Sequence, residues 1–189
     1  MELLKKRILK DGKVVNSDVL QVSSFLNHMV DPFLMQEIGK EFAAIFRGQK
    51  PTKIMTAEAS GIPMAAFTAL ALDIPFIIAK KYSTINLTET FYSAEVFSQT
   101  RQVSVYIRVS KEFLNENDRI LIIDDFLAFG SAVNGLYKII QEAKATLIGV
   151  GICIEKSFQE GAADLEAKHI NLHSLARVKS LENGVITLF

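Results

Sequence analysis

With a single cysteine, Cys153, the chain can form no internal disulfide, so its 189 residues must fold on packing alone. A hydrophobic content of 49% is enough for one sizeable core, which predicts a single domain over residues 1–189. Cys153 lies in the apolar run Val150-Gly151-Ile152-Cys153-Ile154, and this predicts a buried strand thiol rather than a reactive one. Charge of one sign is also lacking. Twenty-one basic and 21 acidic residues cancel, so no global field recruits nucleic acid or an anionic membrane surface.

The longest apolar stretch, Ala65 to Ala79, is interrupted by Asp73 and Pro75, and reads as helix, turn and strand rather than as a membrane span. Met1-Glu2-Leu3-Leu4-Lys5-Lys6-Arg7 mixes charge into its first turns without a signal-type apolar core, so a cytoplasmic location is expected. Internal repeats and low-complexity tracts are missing. There is no G-x-x-x-x-G-K-[ST], and Gly149-Val150-Gly151 lacks the third glycine of a dinucleotide fingerprint, so nucleoside triphosphate and NAD readings fall. His28, His169 and His173 do not combine with Cys153 into zinc-ligand spacing, and no protein-held metal is expected.

What is present is a repeated strand–loop–helix grammar. Asp31-Pro32 predicts a helix cap and first turn, continued by the apolar spacing Phe33, Leu34, Ile38, Phe42, Ile45, Phe46 and ended by Gly48 and Pro51. Lys53–Thr56 then reads as a strand, Glu58-Ala59-Ser60-Gly61 as a tight loop, Pro63–Leu72 as a helix and Pro75–Ala79 as a second strand. The pattern returns as strand Arg119–Asp124, helix Ala132–Ala143 and strand Thr146–Ile154. These units predict an α/β fold with a doubly wound, mainly parallel sheet. Between Lys80 and Arg101 the sequence has no clean period, which suggests either a long excursion covering the sheet end or an ordinary hairpin. Val14–Val30 and the stretch from Lys156 onward are expected outside the regular core, meeting as a small subdomain over one end of the sheet.

The most informative stretch is Ile120-Leu121-Ile122-Ile123-Asp124-Asp125-Phe126-Leu127-Ala128-Phe129-Gly130-Ser131-Ala132. An apolar strand is expected to end in two carboxylates, followed by a short loop that opens a helix. Paired carboxylates suit the two vicinal hydroxyls of a ribose, and small residues let loop N–H groups approach a phosphate closely. The helix beyond adds its N-terminal donors and the positive end of its dipole. An Asp-Asp exit that merely caps the next helix is the plainer alternative.

This stretch resembles the phosphoribosyl pyrophosphate (PRPP) signature of the type I phosphoribosyltransferases. The resemblance implies that Asp124 and Asp125 hold the ribose, and that Ala128, Phe129, Gly130, Ser131 and Ala132 cradle the 5′-phosphate. Phe129 departs from the pattern, which generally has a smaller or polar residue there. Glu58-Ala59-Ser60-Gly61, with Ser60, is similar to the family's pyrophosphate loop. Lys80 and Lys81 are candidates to neutralise pyrophosphate, a solvated basic pair being the alternative. Tyr92-Ser93-Ala94-Glu95 resembles the flexible loop of several purine members, which places a cover at about residues 82–102.

Val19–His28 and Ile154–Phe158 resemble the bacterial xanthine phosphoribosyltransferases, and the likeness extends over nearly the whole chain. It implies a hood from about residues 1–30 and 156–189, with Leu20, Asn27 and Lys156 on the base. The chemistry is coherent: xanthine presents carbonyl oxygens at positions 2 and 6, and the Asn27 amide and the Lys156 ammonium are donors, while Leu20 packs on the ring face. Phe158 is expected in the core, with stacking on the base as the alternative. The resemblance further implies Mg²⁺ bound with PRPP, a homodimer, and conversion of xanthine and PRPP to xanthosine 5′-monophosphate and pyrophosphate. The rival readings are a guanine or hypoxanthine enzyme and a non-catalytic purine-responsive regulator of the same fold. The regulator would need a DNA-binding region, and neither a helix-turn-helix extension nor a basic surplus is visible.

Overall fold

The structure, a computed structural model, describes residues 1–16, 19–82, 90–98 and 103–189. Helix α1 (Glu2–Asp11) opens the chain, and a hairpin of β1 (Lys13–Val15) and β2 (Val19–Gln21) follows, with Val14 opposite Leu20. A helical turn, Ser23–Asn27, leads towards α2 (Pro32–Phe46). The start of α2 is fixed by its cap: the Asp31 carboxylate accepts from the Phe33 and Leu34 N–H groups at 3.1 and 3.2 Å, and Pro32 loses nothing at a position whose N–H has no intrahelical partner. Leu34, Met35, Ile38, Phe42 and Phe46 form the buried stripe of α2. Phe33, expected on that stripe, lies off it and is 79% exposed.

The remaining elements are β3 (Lys53–Ala57), α3 (Ile62–Leu72), β4 (Phe76–Tyr82), β5 (Phe91–Ser98), β6 (Val103–Ser110), β7 (Arg119–Leu127), α4 (Ser131–Glu142), β8 (Thr146–Lys156), α5 (Gly161–Ala167), β9 (Leu172–Ser180) and β10 (Thr187–Leu188). Eight strands form one sheet in the order β10-β9-β8-β7-β3-β4-β6-β5. The pairs β9–β8, β8–β7, β7–β3 and β3–β4 are parallel, while the edge pairs β4–β6, β6–β5 and β9–β10 are antiparallel. This is the doubly wound, mainly parallel sheet expected of the type I phosphoribosyltransferase fold.

Central strands covered on both faces must be apolar throughout, and Ile120 to Ile123 of β7 are fully buried. On one face Leu121 and Ile123 join a core with α1, α2 and α3, including Phe25, Phe42 and Phe46. On the other, Ile120 and Ile122 meet Val133, Leu136, Ile139 and Ile140 of α4 and Leu165 of α5. Cys153 is buried, as its apolar run predicts.

Strands β4 and β8 run past their expected ends at Ala79 and Ile154, to Tyr82 and Lys156, and two further departures bear on the site. Strand β7 does not stop at Asp124 but continues to Leu127, with Phe126 opposite Ile154 and Leu127 opposite Glu155. The stretch beyond Lys156 is not outside the regular core either, because β9 pairs in parallel with β8, Ile152 lying opposite Ser174 and Lys156 opposite Val178. Polar residues such as His173, Arg177 and Lys179 alternate with apolar ones along β9, so it lacks the continuous apolar run that betrays a central strand. The N-terminal hairpin packs against the C-terminal turn Glu182–Gly184, and the terminal ammonium donates to the Leu175 carbonyl. The cover anticipated over residues 82–102 falls partly outside the described residues. Within it, Phe91–Ser98 is strand β5, with Tyr92 opposite Val109 and Glu95 opposite Tyr106 of β6.

Candidate functional site

Strand order reverses between β3 and β7. From β3 the chain passes through α3 to β4 on one side; from β7 it passes through α4 to β8 on the other. Diverging connections open a crevice at the carboxyl ends of the two strands, where ligands of open α/β sheets bind. A cavity of about 620 Å³ lies there, lined by Ala57–Ser60, Lys81, Val96, Phe97, Val105, Ile107 and the continuous run Phe126–Val133.

The β3 side ends in the loop Glu58–Gly61, whose Glu58–Ala59 peptide bond is cis. Glu58 ties this loop to β4: its N–H donates to the Ala79 carbonyl, and its carboxylate accepts from the Lys81 N–H at 2.9 Å. Gly61 is required by crowding, since a Cβ there would stand 2.5 Å from Asp124 Oδ1. The pyrophosphate-type loop and the first carboxylate are therefore in direct contact.

On the β7 side the two carboxylates differ in environment. Asp124 is 6% exposed, and its Oδ1 accepts the Asp125 N–H at 3.0 Å. Burial, and then the neighbouring Asp125 charge, push its carboxyl well above the usual range, with Lys81 pulling the other way. Burial also raises Asp125, against the downward pull of a hydrogen bond from Asn27 Nδ2, 3.2 Å from Asp125 Oδ2. Two desolvated acceptors beside each other fit a partner that brings hydroxyl donors or positive charge.

Beyond Leu127 the chain turns through Ala128, Phe129 and Gly130 into α4. Gly130 adopts φ 80°, the left-handed region that a side chain disfavours. At the start of α4, Ser131, Ala132 and Val133 carry N–H groups without intrahelical partners, and all three border the cavity. These donors and the dipole of a twelve-residue helix favour an anion such as a phosphate. A model of the phosphoribosyl transferase domain matches residues 31–174, a span holding both loops, both carboxylates and α4. The chain belongs to the phosphoribosyl transferase domain family.

Within that family, the xanthine phosphoribosyltransferase of Latilactobacillus sakei is 51% identical to this chain over 186 residues, covering 98% of this chain and 95% of that protein. The xanthine phosphoribosyltransferase of Pseudomonas entomophila is 50% identical over 187 residues, 99% and 98% of the two chains. Among solved structures, the adenine phosphoribosyltransferase of Trypanosoma brucei in complex with AMP, pyrophosphate and ribose-5-phosphate shares the fold at a TM-score of 0.76 and 19% identity, over 92% of this chain and 79% of that one. The adenine phosphoribosyltransferase of Rhodothermus marinus does so at 0.74 and 21%, over 94% and 99%.

The fold brings most of the family-matched residues to one sheet end. Ser60, Lys81 and Ala128–Ala132 share the cavity, and Asn27 reaches Asp125 from the N-terminal segment. Lys156 ends β8, just past the Glu155 that lies opposite Leu127, and is half-buried at the same end of the sheet. Lys80 is not brought to the cavity: strand alternation sends it to the face opposite Lys81. Leu20 is 5% exposed and packs in the same core as Phe25 and Leu26. Phe129 is 41% exposed on the cavity wall. Phe158, expected in the core, is instead 43% exposed, because β8 ends at Lys156 and the chain turns out of the sheet before it.

Two residues escaped the sequence reading. Glu58 was visible only as part of a loop, and its bond to Lys81 depends on how β3 and β4 pair. Gly161 lies 31 positions after Gly130, and its N–H donates to the Ala128 carbonyl at 2.9 Å. No local pattern marks such a contact.

Proposed function

We propose that this chain salvages purines by joining xanthine to the ribose phosphate of PRPP, giving xanthosine 5′-monophosphate and pyrophosphate. The observation that carries the reading is one cavity bordered by a phosphate-type loop and a cation, its lining run Phe126–Val133 directly following the buried carboxylate pair Asp124 and Asp125, in a chain about half identical over its whole length to proteins named xanthine phosphoribosyltransferase.

In this account Asp124 and Asp125 accept hydrogen bonds from the vicinal ribose hydroxyls, and Ala128–Ala132 hold the 5′-phosphate. Ser60, Lys81 and the backbone of Glu58–Gly61 face the pyrophosphate, and Lys80 adds long-range positive charge. A purine ring nitrogen forms its bond to the anomeric carbon as the bond to the pyrophosphate oxygen breaks. The ribose gains oxocarbenium character, and the electron pair leaves with pyrophosphate. No protein nucleophile is needed; positioning and neutralisation of the departing charge do the work.

Mg²⁺ enters as part of the substrate, bound to PRPP, and supplies charge neutralisation to the pyrophosphate. The buried carboxylate pair, both members raised by desolvation, is chemically suited to face such a complex. Asn27 and Lys156 donate to the oxo groups of xanthine, Leu20 packs near the ring, and Phe158, exposed beside Lys156, is available to stack on it. Residues 82–102 act as the cover that excludes water.

We further propose a cytoplasmic homodimer. The groove between α2 and α3, bordered by Phe67 and by Leu70, which is 76% exposed, is the apolar surface a second copy would cover. No helix among the described residues is long and apolar enough to cross a membrane.

The test is formation of xanthosine 5′-monophosphate and pyrophosphate from xanthine and Mg²⁺–PRPP. Equimolar products, lost in Asp125→Ala, are expected. Absence of turnover by the folded wild-type protein contradicts the reading.

A further inference from the structure

The phosphate-type loop has a neighbour that the sheet does not supply. Helix α5 begins 31 residues after Gly130, yet its first residue closes on the loop from behind: the Gly161 N–H donates to the Ala128 carbonyl at 2.9 Å. Contact is intimate on both sides. A Cβ at Gly161 would stand 2.5 Å from the Ala128 oxygen and 2.8 Å from the Gly130 nitrogen, and a Cβ at Gly130 would stand 3.3 Å from the Gly161 Cα.

Three side chains fasten α5 to the first turn of α4. Asn134 Nδ2 donates to Asp164 Oδ2 at 2.7 Å, and the Lys168 ammonium donates to Asn134 Oδ1 at 2.6 Å and to Asp164 Oδ2 at 2.7 Å. Every member touches both others. The Asn134 N–H meanwhile donates to the Gly130 carbonyl at 2.8 Å, so one residue joins the loop's turn to the triad. The Lys168 and Asn134 bonds hold the Asp164 carboxyl below the usual carboxylate range.

We propose that α5 is a clamp on the phosphate loop, in which Gly161, Asn134, Asp164 and Lys168 are positioning residues that pre-set the loop for the 5′-phosphate of PRPP. The inference rests on the functional reading above. A loop whose N–H donors must converge on an anion loses affinity when its conformations multiply, because binding must then order it. Asn134, Asp164 and Lys168 do not line the cavity and join it only through the loop at Gly130, so their effect falls on the sugar-phosphate end of the substrate. A helix with a merely structural role would, when loosened, impair folding and both substrates alike.

The test compares wild type, Asp164→Ala, Asp164→Asn and Gly161→Ala in their folded forms. Dissociation constants for Mg²⁺–PRPP are measured calorimetrically without base, and steady-state constants are measured for both substrates. Asp164→Ala should weaken PRPP by roughly three- to tenfold, the range of a partly exposed polar network, with kcat and the KM for xanthine nearly unchanged. Asp164→Asn, still an acceptor for Asn134, should recover most of that loss, and Gly161→Ala should weaken PRPP at least as much as Asp164→Ala. Wild-type PRPP affinity in folded Asp164→Ala overturns the clamp while leaving the functional reading intact. An equal loss for PRPP and xanthine also overturns it, in favour of a structural role. Failure of the wild-type protein to bind PRPP removes the functional reading and the clamp with it.

Discussion

Asn27 and Asp125 stand 98 residues apart in sequence, yet the amide of one donates to the carboxylate of the other at 3.2 Å. A residue assigned to the base and one assigned to the ribose are thus a single hydrogen-bonded unit. The bond favours the ionised form of Asp125 and offsets part of the upward push of burial. Replacing Asn27 by alanine should raise the Asp125 pKa further, so the acidic limb of the kcat/KM profile for PRPP moves to higher pH. An unmoved limb in the folded variant contradicts the coupling.

Asp124 is held buried against its own charge. Its folded pKa lies above the unfolded value, so the folded state binds the proton more tightly. The associated stability is present at low pH and is lost as pH rises through the folded value. Wherever Asp124 is ionised, its burial beside Asp125 therefore opposes folding. Asp124→Asn should raise Tm at neutral pH while lowering kcat/KM for PRPP by about 10²-fold or more, and the Tm gain should shrink on acidification. Calorimetric melts at two pH values check the sign; a lower Tm at neutral pH contradicts it.

Lys80 and Lys81 are adjacent, but only Lys81 borders the cavity. Lys81→Met should lower kcat/KM for PRPP by roughly tenfold to a hundredfold, since on the proposed assignment it removes the positive charge that meets the departing pyrophosphate. Lys80→Met should cost about threefold or less, as a screened charge on the far face. Equal losses in steady-state kinetics contradict the assignment.

A structural carboxylate gives the opposite pH behaviour. Asp118 is buried before β7, which alone would raise its pKa, but hydrogen bonds and charge from Lys53, Asn115 and Thr52 outweigh this and hold it below the usual range. Its stability is present above the unfolded pKa and is lost as pH falls through the folded value. Asp118→Asn should destabilise the protein by about 1–3 kcal/mol at neutral pH, with the deficit narrowing in acid as pH falls through the lowered folded pKa. Urea unfolding at neutral and acidic pH measures it.

The fold's centre was legible because its signals are local. Asp31-Pro32 writes a cap, Ile120–Ile123 writes a strand buried on both faces, and Gly130 marks the turn into α4. The candidate site was legible where it coincides with contiguous residues, namely Asp124–Ala132 and Glu58–Gly61. What stayed hidden depends on pairing across the chain. β9 alternates polar and apolar residues and does not announce that it lies against β8. The side of β4 that takes Lys81 into the cavity is set by register, and the approach of Gly161 to the loop is set by packing after β8. Phe33 and Phe158 show the same limit from the other side, because an apolar residue near an element boundary is assigned to the core by composition and turned outward by geometry.

The most direct measurement is a competition. Xanthine, guanine and hypoxanthine are supplied at equal concentration with limiting Mg²⁺–PRPP, and the initial ratio of nucleotide products gives the ratio of kcat/KM values without further assumption. Xanthosine 5′-monophosphate should dominate by about tenfold or more, a difference of about 1.4 kcal/mol in transition-state binding. A product mixture led by the guanine or hypoxanthine nucleotide would contradict the account of the base site.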